Sequence, residues 1–143
     1  MQKTTWNTKE NIKREWYLID AKDRVLGRTA TKIASLLIGK NKVGQVPNLD
    51  CGDFVVVINA KDIKLTNGKN VEKMYYSHTM YPGGFKEVRF DKMLAKHPTA
   101  PIQMAVEKML PKNKLRASML TRLFIYADEN HKHSAQQPKP IKF

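Results

Sequence analysis

The chain has 143 residues, with 26 Lys plus Arg against 13 Asp plus Glu and a net charge of +13. That length fits one domain able to bury about two thirds of the surface its unfolded form exposes, and a 41% hydrophobic, 27% charged composition excludes a disordered basic tail. Unbalanced positive charge repels itself, so it points to a polyanionic partner rather than to a small neutral substrate.

The opening segment to Glu15 is polar apart from Trp6 and Ile12 and reads as a loosely ordered arm, residues 1–15, that Trp6 pins to the body. It mixes Lys3, Lys9, Lys13 and Arg14 with Glu10 and Glu15, unlike a secretory signal or a transit peptide. No apolar run approaches the ~20 residues of a bilayer span. The single Cys51 cannot form an internal disulfide, which fits a reducing compartment. The expected location is the cytoplasm.

The ordered domain is expected over residues 16–127. Trp16 to Ala21 is β-rich and predicts a strand, followed by a polar turn at Lys22, Asp23 and Arg24. Leu26, Ala30, Ile33, Ala34, Leu37 and Ile38 then recur on one helical face, and Gly39 supplies the stop. Lys40 to Gly52 is a connector. Phe54 to Ile58 is a short continuous apolar run, the pattern of a strand covered on both faces in a parallel sheet. Ile63 and Leu65 alternate with lysine, and Asn67-Gly68 predicts a reversal before Val71 to Tyr76, hence an antiparallel excursion.

Asp91 can cap a short helix ended by Pro98, and Pro101 sits near the start of another that carries Ile102, Ala105, Val106, Met109 and Leu110 up to Pro111. A further helix from about Asn113 to Arg122 feeds a strand at Leu123 to Ala127. Strand and helix patterns alternate, so the class is α/β with a mostly parallel sheet. Residues 128–143 are polar and proline-bearing and read as a surface tail.

Candidate contacts follow from charge and local composition. Between Lys108 and Arg122 stand Lys108, Lys112, Lys114, Arg116 and Arg122 with no acid, threaded among Met109, Leu110, Leu115, Met119 and Leu120. A solvated face usually mixes signs, so this run suits a phosphate backbone. Arg28 and Lys32 lie one turn apart on the first helix, and Lys40 and Lys42 trail it; each also reads as an ordinary surface charge, since helix C-termini favour cations. The segment from Tyr75 to Lys86 reads as a loop. Gly83 and Gly84 would let backbone amides approach a phosphate, Lys86 adds charge, and Tyr75, Tyr76 and Tyr81 could stack on bases beside His78 and Thr79. Simple turn geometry explains paired glycines equally well, and the P-loop ending is missing.

His131-Lys132-His133 invites a metal reading, but one HxH with a distant lone thiol falls short of zinc-ligand spacing, so His131 and His133 read as polar or RNA-facing donors. Ser77-His78 with Asp20, Asp50 or Asp53 does not establish a triad, because adjacency in sequence is not the required geometry.

Taken in order, these segments resemble the bacterial-type large-subunit ribosomal protein thirteen family. The likeness runs through Lys13-Arg14-Glu15-Trp16-Tyr17, Ile19-Asp20-Ala21 and Leu26-Gly27-Arg28 to Gly52-Asp53-Phe54-Val55-Val56-Val57-Ile58-Asn59-Ala60. It resumes at His78-Thr79 and Tyr81-Pro82-Gly83-Gly84, then at Met109-Leu110-Pro111-Lys112-Asn113-Lys114-Leu115, Tyr126-Ala127 and His131, His133 and Ala135-Gln136. Local departures are Gln45-Val46 before Pro47, Arg116 shifted by one position, Asp128 and Met80 where glycine is frequent, and Lys132 in place of proline. The resemblance implies a three-layer α/β/α single domain with a short, mostly parallel central sheet. It also implies a non-enzymatic structural role on large-subunit ribosomal RNA beside neighbouring ribosomal proteins, early in subunit assembly, with no cofactor, metal, membrane or small-molecule substrate. The implied RNA contacts are Arg28, Lys40, Lys42, His78, Thr79, Gly83, Gly84, Lys86, Lys112, Lys114, Arg116, Arg122, His131 and His133.

Two rivals come from other classes. An enzyme acting on nucleotides or nucleic acid would need convergent acids, a metal cluster or a phosphate loop at proper spacing, which the sequence lacks. A DNA-binding protein would carry a helix-turn-helix or zinc-finger pattern, and none is present.

Overall fold

A computed structural model describes residues 8–141. Trp6, the expected anchor of the opening arm, lies outside them. Near the body that arm is tied down: the Arg14 guanidinium donates to the carbonyls of Gly52 and Asp50, each at 3.0 Å, and the Glu15 amide donates to the Asp53 carboxylate at 2.9 Å.

Strand β1 (Trp16–Asp20) pairs in parallel with β2 (Phe54–Ile58), so that Trp16 lies beside Phe54 and Ile19 beside Val57. β2 pairs in parallel with β5 (Leu123–Ile125), and β1 pairs on its other side with β6 (Lys139–Pro140). The resulting order is β5-β2-β1-β6, all parallel. β6 departs from the expectation for residues 128–143. Polar composition masks it because a two-residue edge strand has no apolar alternation to display, and its proline suits an edge that needs no further donor.

Helix α1 (Leu26–Ile38) returns the chain from β1 to β2 and buries Leu26, Ala30, Ile33, Ala34 and Leu37, the stripe read from the sequence. Its mid-helix hydroxyls are satisfied locally: Thr29, Thr31 and Ser35 donate to the carbonyls of Val25, Gly27 and Thr31. Gly39 ends it at φ 81°, donating its amide to Ser35 and Leu36; a Cβ there would lie 2.8 Å from the Cys51 carbonyl oxygen.

Beyond a short helix α2 (Lys69–Glu72), strands β3 (Met74–His78) and β4 (Phe85–Arg89) form a separate antiparallel hairpin. An antiparallel hairpin is therefore present, but not between the segments expected: β3 pairs with β4 across the turn from Thr79 to Gly84, in a stretch read as loop, while Lys64 instead bridges Val25 in parallel. Asn67 and Gly68 do adopt left-handed φ values of 57° and 69°, yet they lead into α2 instead of a strand. Helices α3 (Phe90–Lys96), α4 (Ala100–Met109) and α5 (Leu115–Leu120) complete the path to β5. Asp91 falls inside α3, where it accepts from Arg89 at 3.0 Å, and Arg89 takes the capping position.

Alternation along the strands gives the parallel sheet two covered faces. Ile19, Val55 and Val57 join α1 and the α4 residues Ile102 and Val106 in one core. On the other face Trp16 stacks on Phe54 at 4.4 Å between centroids and lies 5.7 Å from Phe124, while His133 from the C-terminal segment covers both Trp16 and Phe124. Among the described residues no helix is long and apolar enough to cross a membrane.

Candidate RNA interface

The residues singled out from the sequence divide by whether their charge is already used within the fold. Arg122 is buried. Its guanidinium pairs bidentately with the Asp50 carboxylate and also donates to the carbonyls of Leu37 at 3.1 Å, Ser118 at 3.1 Å and Asp53 at 3.4 Å. The charge read from the sequence as RNA-facing is thus already paired within the fold, where it ties the connector before β2 to α1 and α5. The balancing acid was invisible in the run from Lys108 to Arg122 because it stands 72 residues away.

Lys42 is engaged in the same region. Its ammonium lies 2.5 Å from the buried Asp53 carboxylate and donates to the carbonyls of Lys13 at 2.7 Å and Cys51 at 2.9 Å. Arg116 is half-buried and donates to Pro111 at 3.1 Å and Leu110 at 3.4 Å, covering carbonyls left open where α4 ends. His133 sits among Trp16, Phe124 and Tyr126, and its buried Nε2 has no hydrogen-bond partner among the described residues. His131 is half-buried beside Tyr126, and its Nδ1 accepts the His133 amide at 3.2 Å. These side chains first serve the fold.

The exposed candidates occupy three places. Arg28 projects from the first turn of α1, and Lys40 lies just past its Gly39 stop. Lys112 and Lys114 flank Asn113 in the link between α4 and α5; Asn113 stiffens that link by accepting the Leu115 amide at 3.1 Å. The third place is the hairpin end, which brings His78, Thr79, Gly83, Gly84 and Lys86 together.

Turn geometry at the hairpin requires its glycines. Gly83 takes φ 70°, and a Cβ on Gly84 would lie 2.1 Å from Thr79 Oγ1 and 2.8 Å from the Tyr81 carbonyl oxygen. The Thr79 amide donates to Gly84, and the Gly84 amide returns a bond to Tyr81. His78 Nδ1 accepts the Met80 amide at 2.9 Å, which leaves Nε2 as the outward nitrogen. Tyr76 and Phe85 are stacked at 5.7 Å between centroids yet remain 65% and 60% exposed, and Tyr81 and Met80 are exposed beside them. Phe85 was missed from the sequence because the segment reads as a loop; the alternation in Phe85-Lys86-Glu87-Val88 was the available signal.

The family model described as Ribosomal protein L13 matches residues 14–132. The chain belongs to that family. It is 55% identical over 132 residues to the large ribosomal subunit protein uL13 of Pelobacter propionicus, covering 92% of this chain and 93% of the relative. The corresponding protein of Chloroflexus aggregans is 51% identical over 138 residues, or 96% of each chain, and that of Thermotoga petrophila is 48% identical over 142 residues, 99% of this chain and 95% of the relative. As a member of the ribosomal protein L13 family the chain is a structural protein and not an enzyme. Met80, one of the departures read from the sequence, holds a φ of 66°, a region that glycine enters without the steric cost borne by other residues.

Proposed function

We propose that this protein is a constituent of the large ribosomal subunit that binds large-subunit ribosomal RNA in the cytoplasm and helps to organise it during early assembly. The observation that carries the reading is near full-length similarity to proteins named as large-subunit components. The hairpin supports the RNA contact, since the exposed stacked rings of Tyr76 and Phe85 suit unpaired bases on one face, and Lys86, opposite Ser77 on the other face, suits a phosphate there. Arg28, Lys40, Lys112 and Lys114 add cations on a folded body, while the His78 ring, the Thr79 hydroxyl and the Gly83 amide supply donors at a turn whose shape Gly84 sets. Lys42, Arg116, Arg122, His131 and His133 act by holding those surfaces in place.

Binding proceeds by counterion release together with shape recognition. One rigid surface that engages several RNA segments lowers the free energy of the folded RNA relative to its open forms. Neighbouring subunit proteins complete the set of partners.

The experiment is RNA binding by the full chain across a salt series. Lys112→Ala with Lys114→Ala should weaken binding and flatten the slope of log K against log salt by roughly 1.4 to 1.8, the value for two phosphate contacts. An unchanged slope removes both residues from the interface. Absence of the protein from large subunits washed at high salt overturns the functional reading, and cells depleted of it should accumulate incomplete large-subunit particles.

A further inference from the structure

The hairpin has a second face. Tyr75, Ser77 and Val88 border a cavity of about 560 Å³ whose far wall is formed by Met93 of α3 and by Met104 and Ala105 of α4. Lys73 and Lys108 also line it, and among the described residues no carboxylate does. Its volume lies within the range of natural small-ligand pockets.

Two features specify the occupant. The Tyr75 hydroxyl is buried, has no hydrogen-bond partner among the described residues and has its pKa raised by desolvation, so it is a polar group that would gain from an acceptor. The walls offer an aromatic ring and polarisable methionine sulfur, which suit a flat heteroaromatic ring, while two lysines suit the anion attached to it. Lys73 Nζ already lies 5.5 Å from the Tyr75 ring centroid, so charge and ring share one site.

We propose that this cavity receives one unstacked nucleotide of the bound RNA, its base between Tyr75 and the methionines of α3 and α4 and its phosphate at Lys73 and Lys108. The proposal rests on the RNA-binding reading and deepens it. The outer face of the hairpin offers stacking at Tyr76 and Phe85, and the inner face captures a base that has left the stack. On binding, a small rotation of the Tyr75 ring brings its buried hydroxyl onto an acceptor of the base edge, satisfying a group left unpaired among the described residues.

The test combines Tyr75→Phe, which removes only the hydroxyl, with Ala105→Phe, which fills the cavity. Each full-length variant is compared with the unaltered protein for thermal stability, RNA affinity and nucleotide-resolution chemical footprinting on large-subunit RNA. Tyr75→Phe should leave the melting temperature unchanged or raised, because the lost hydroxyl has no partner among the described residues, and should weaken RNA binding about two- to tenfold. Both variants should lose protection of the same unpaired nucleotide, while the salt slope set by Lys112 and Lys114 persists. Unaltered protein that does not bind the RNA overturns the parent reading and this one with it. Normal binding accompanied by an unchanged affinity and footprint in Tyr75→Phe overturns the nucleotide pocket alone. The pocket is equally overturned if Ala105→Phe binds RNA with the normal footprint but fails to enter subunits, an outcome that would assign the cavity to a neighbouring protein.

Discussion

Arg122→Ala separates two roles that sequence alone leaves merged. The guanidinium makes two charge-assisted bonds to Asp50 and donates to three carbonyls, with its side chain only 7% exposed. Removing it strands the Asp50 carboxylate, whose side chain is 14% exposed, and orphans the carbonyls of Leu37, Ser118 and Asp53. Breaking a buried ion pair from one side costs about 3 to 5 kcal/mol. Arg14 Nη1, 3.7 Å from Asp50, remains as partial compensation, which favours the lower end, about 3 kcal/mol. For a domain of this size that lowers Tm by about 10 °C. A folded domain has only about 5 to 15 kcal/mol in total, so the variant should still fold at low temperature.

Chemical denaturation of Arg122→Ala, Asp50→Ala and the double variant measures the pair directly. The double variant should cost less than the two single costs added together, because no lone buried charge is left behind. Two results would refute the reasoning: a loss under about 1 kcal/mol for Arg122→Ala, as for an exposed pair, or normal stability combined with a flattened RNA salt slope. The second would return Arg122 to the interface.

The remaining predictions concern other contacts. Gly52→Ala should destabilise by about 3 kcal/mol or prevent folding, since its Cβ would fall 1.7 Å from the Leu37 carbonyl oxygen; Gly27→Ala, with nothing within 4 Å, should instead stabilise α1 by up to about 1 kcal/mol, and equal effects in urea melts would defeat the contrast. The Glu15 carboxyl is held below its ordinary 4.5, first by its hydrogen bond from Lys139 and then by the Tyr17 hydroxyl. Its contribution to holding β6 is therefore present above pH 4.5 and lost as pH falls through the lower folded-state value. Hydrogen-exchange protection of the Ile141 amide, which donates to Leu18, should drop in that acid range and become insensitive to it in Glu15→Gln. The Tyr17 phenol, pushed up to about 12 by burial and then by Glu15, should titrate late in an ultraviolet pH scan, and a midpoint near 10 would contradict its placement. Gly84→Ala should weaken RNA binding more than it lowers Tm, because the crowded Thr79 lies in a hairpin outside the parallel sheet.

Elements whose signal is local were legible in the sequence. The β1-α1-β2 unit could be read because its apolar spacing, the Gly39 stop and the valine run are each contained within a few residues. The hairpin was legible only as an excursion: Asn67-Gly68 has strong turn composition, whereas the six-residue turn from Thr79 to Gly84 looks like loop. β6 was not legible, because two residues carry no periodicity and their order comes from pairing with β1. Among candidate contacts, exposure on a link could be inferred for Lys112 and Lys114, whereas the fate of Arg122 depended on Asp50 meeting it across the fold and that of Lys42 on the connector folding back to bring Asp53 against it.

That dependence explains how a domain with twice as many cations as acids holds its shape. Asp50 and Asp53 sit at the entrance to β2, where the arm, the end of α1 and the turn after α5 converge; Asp50 neutralises Arg122 from 72 residues away, and Asp53 neutralises Lys42 from the same connector. Burial makes those pairings strong enough to specify geometry, because a lone charge left there would be costly. The cations beyond this junction, at the α4–α5 link and on the hairpin, are exposed and their repulsion is screened by salt. Asp50 and Asp53 thus secure the junction with cations that the fold itself uses, which leaves Lys86, Lys112 and Lys114 available to RNA without sacrificing an internal contact that the Arg122 experiment shows to be structural if its predicted loss is observed.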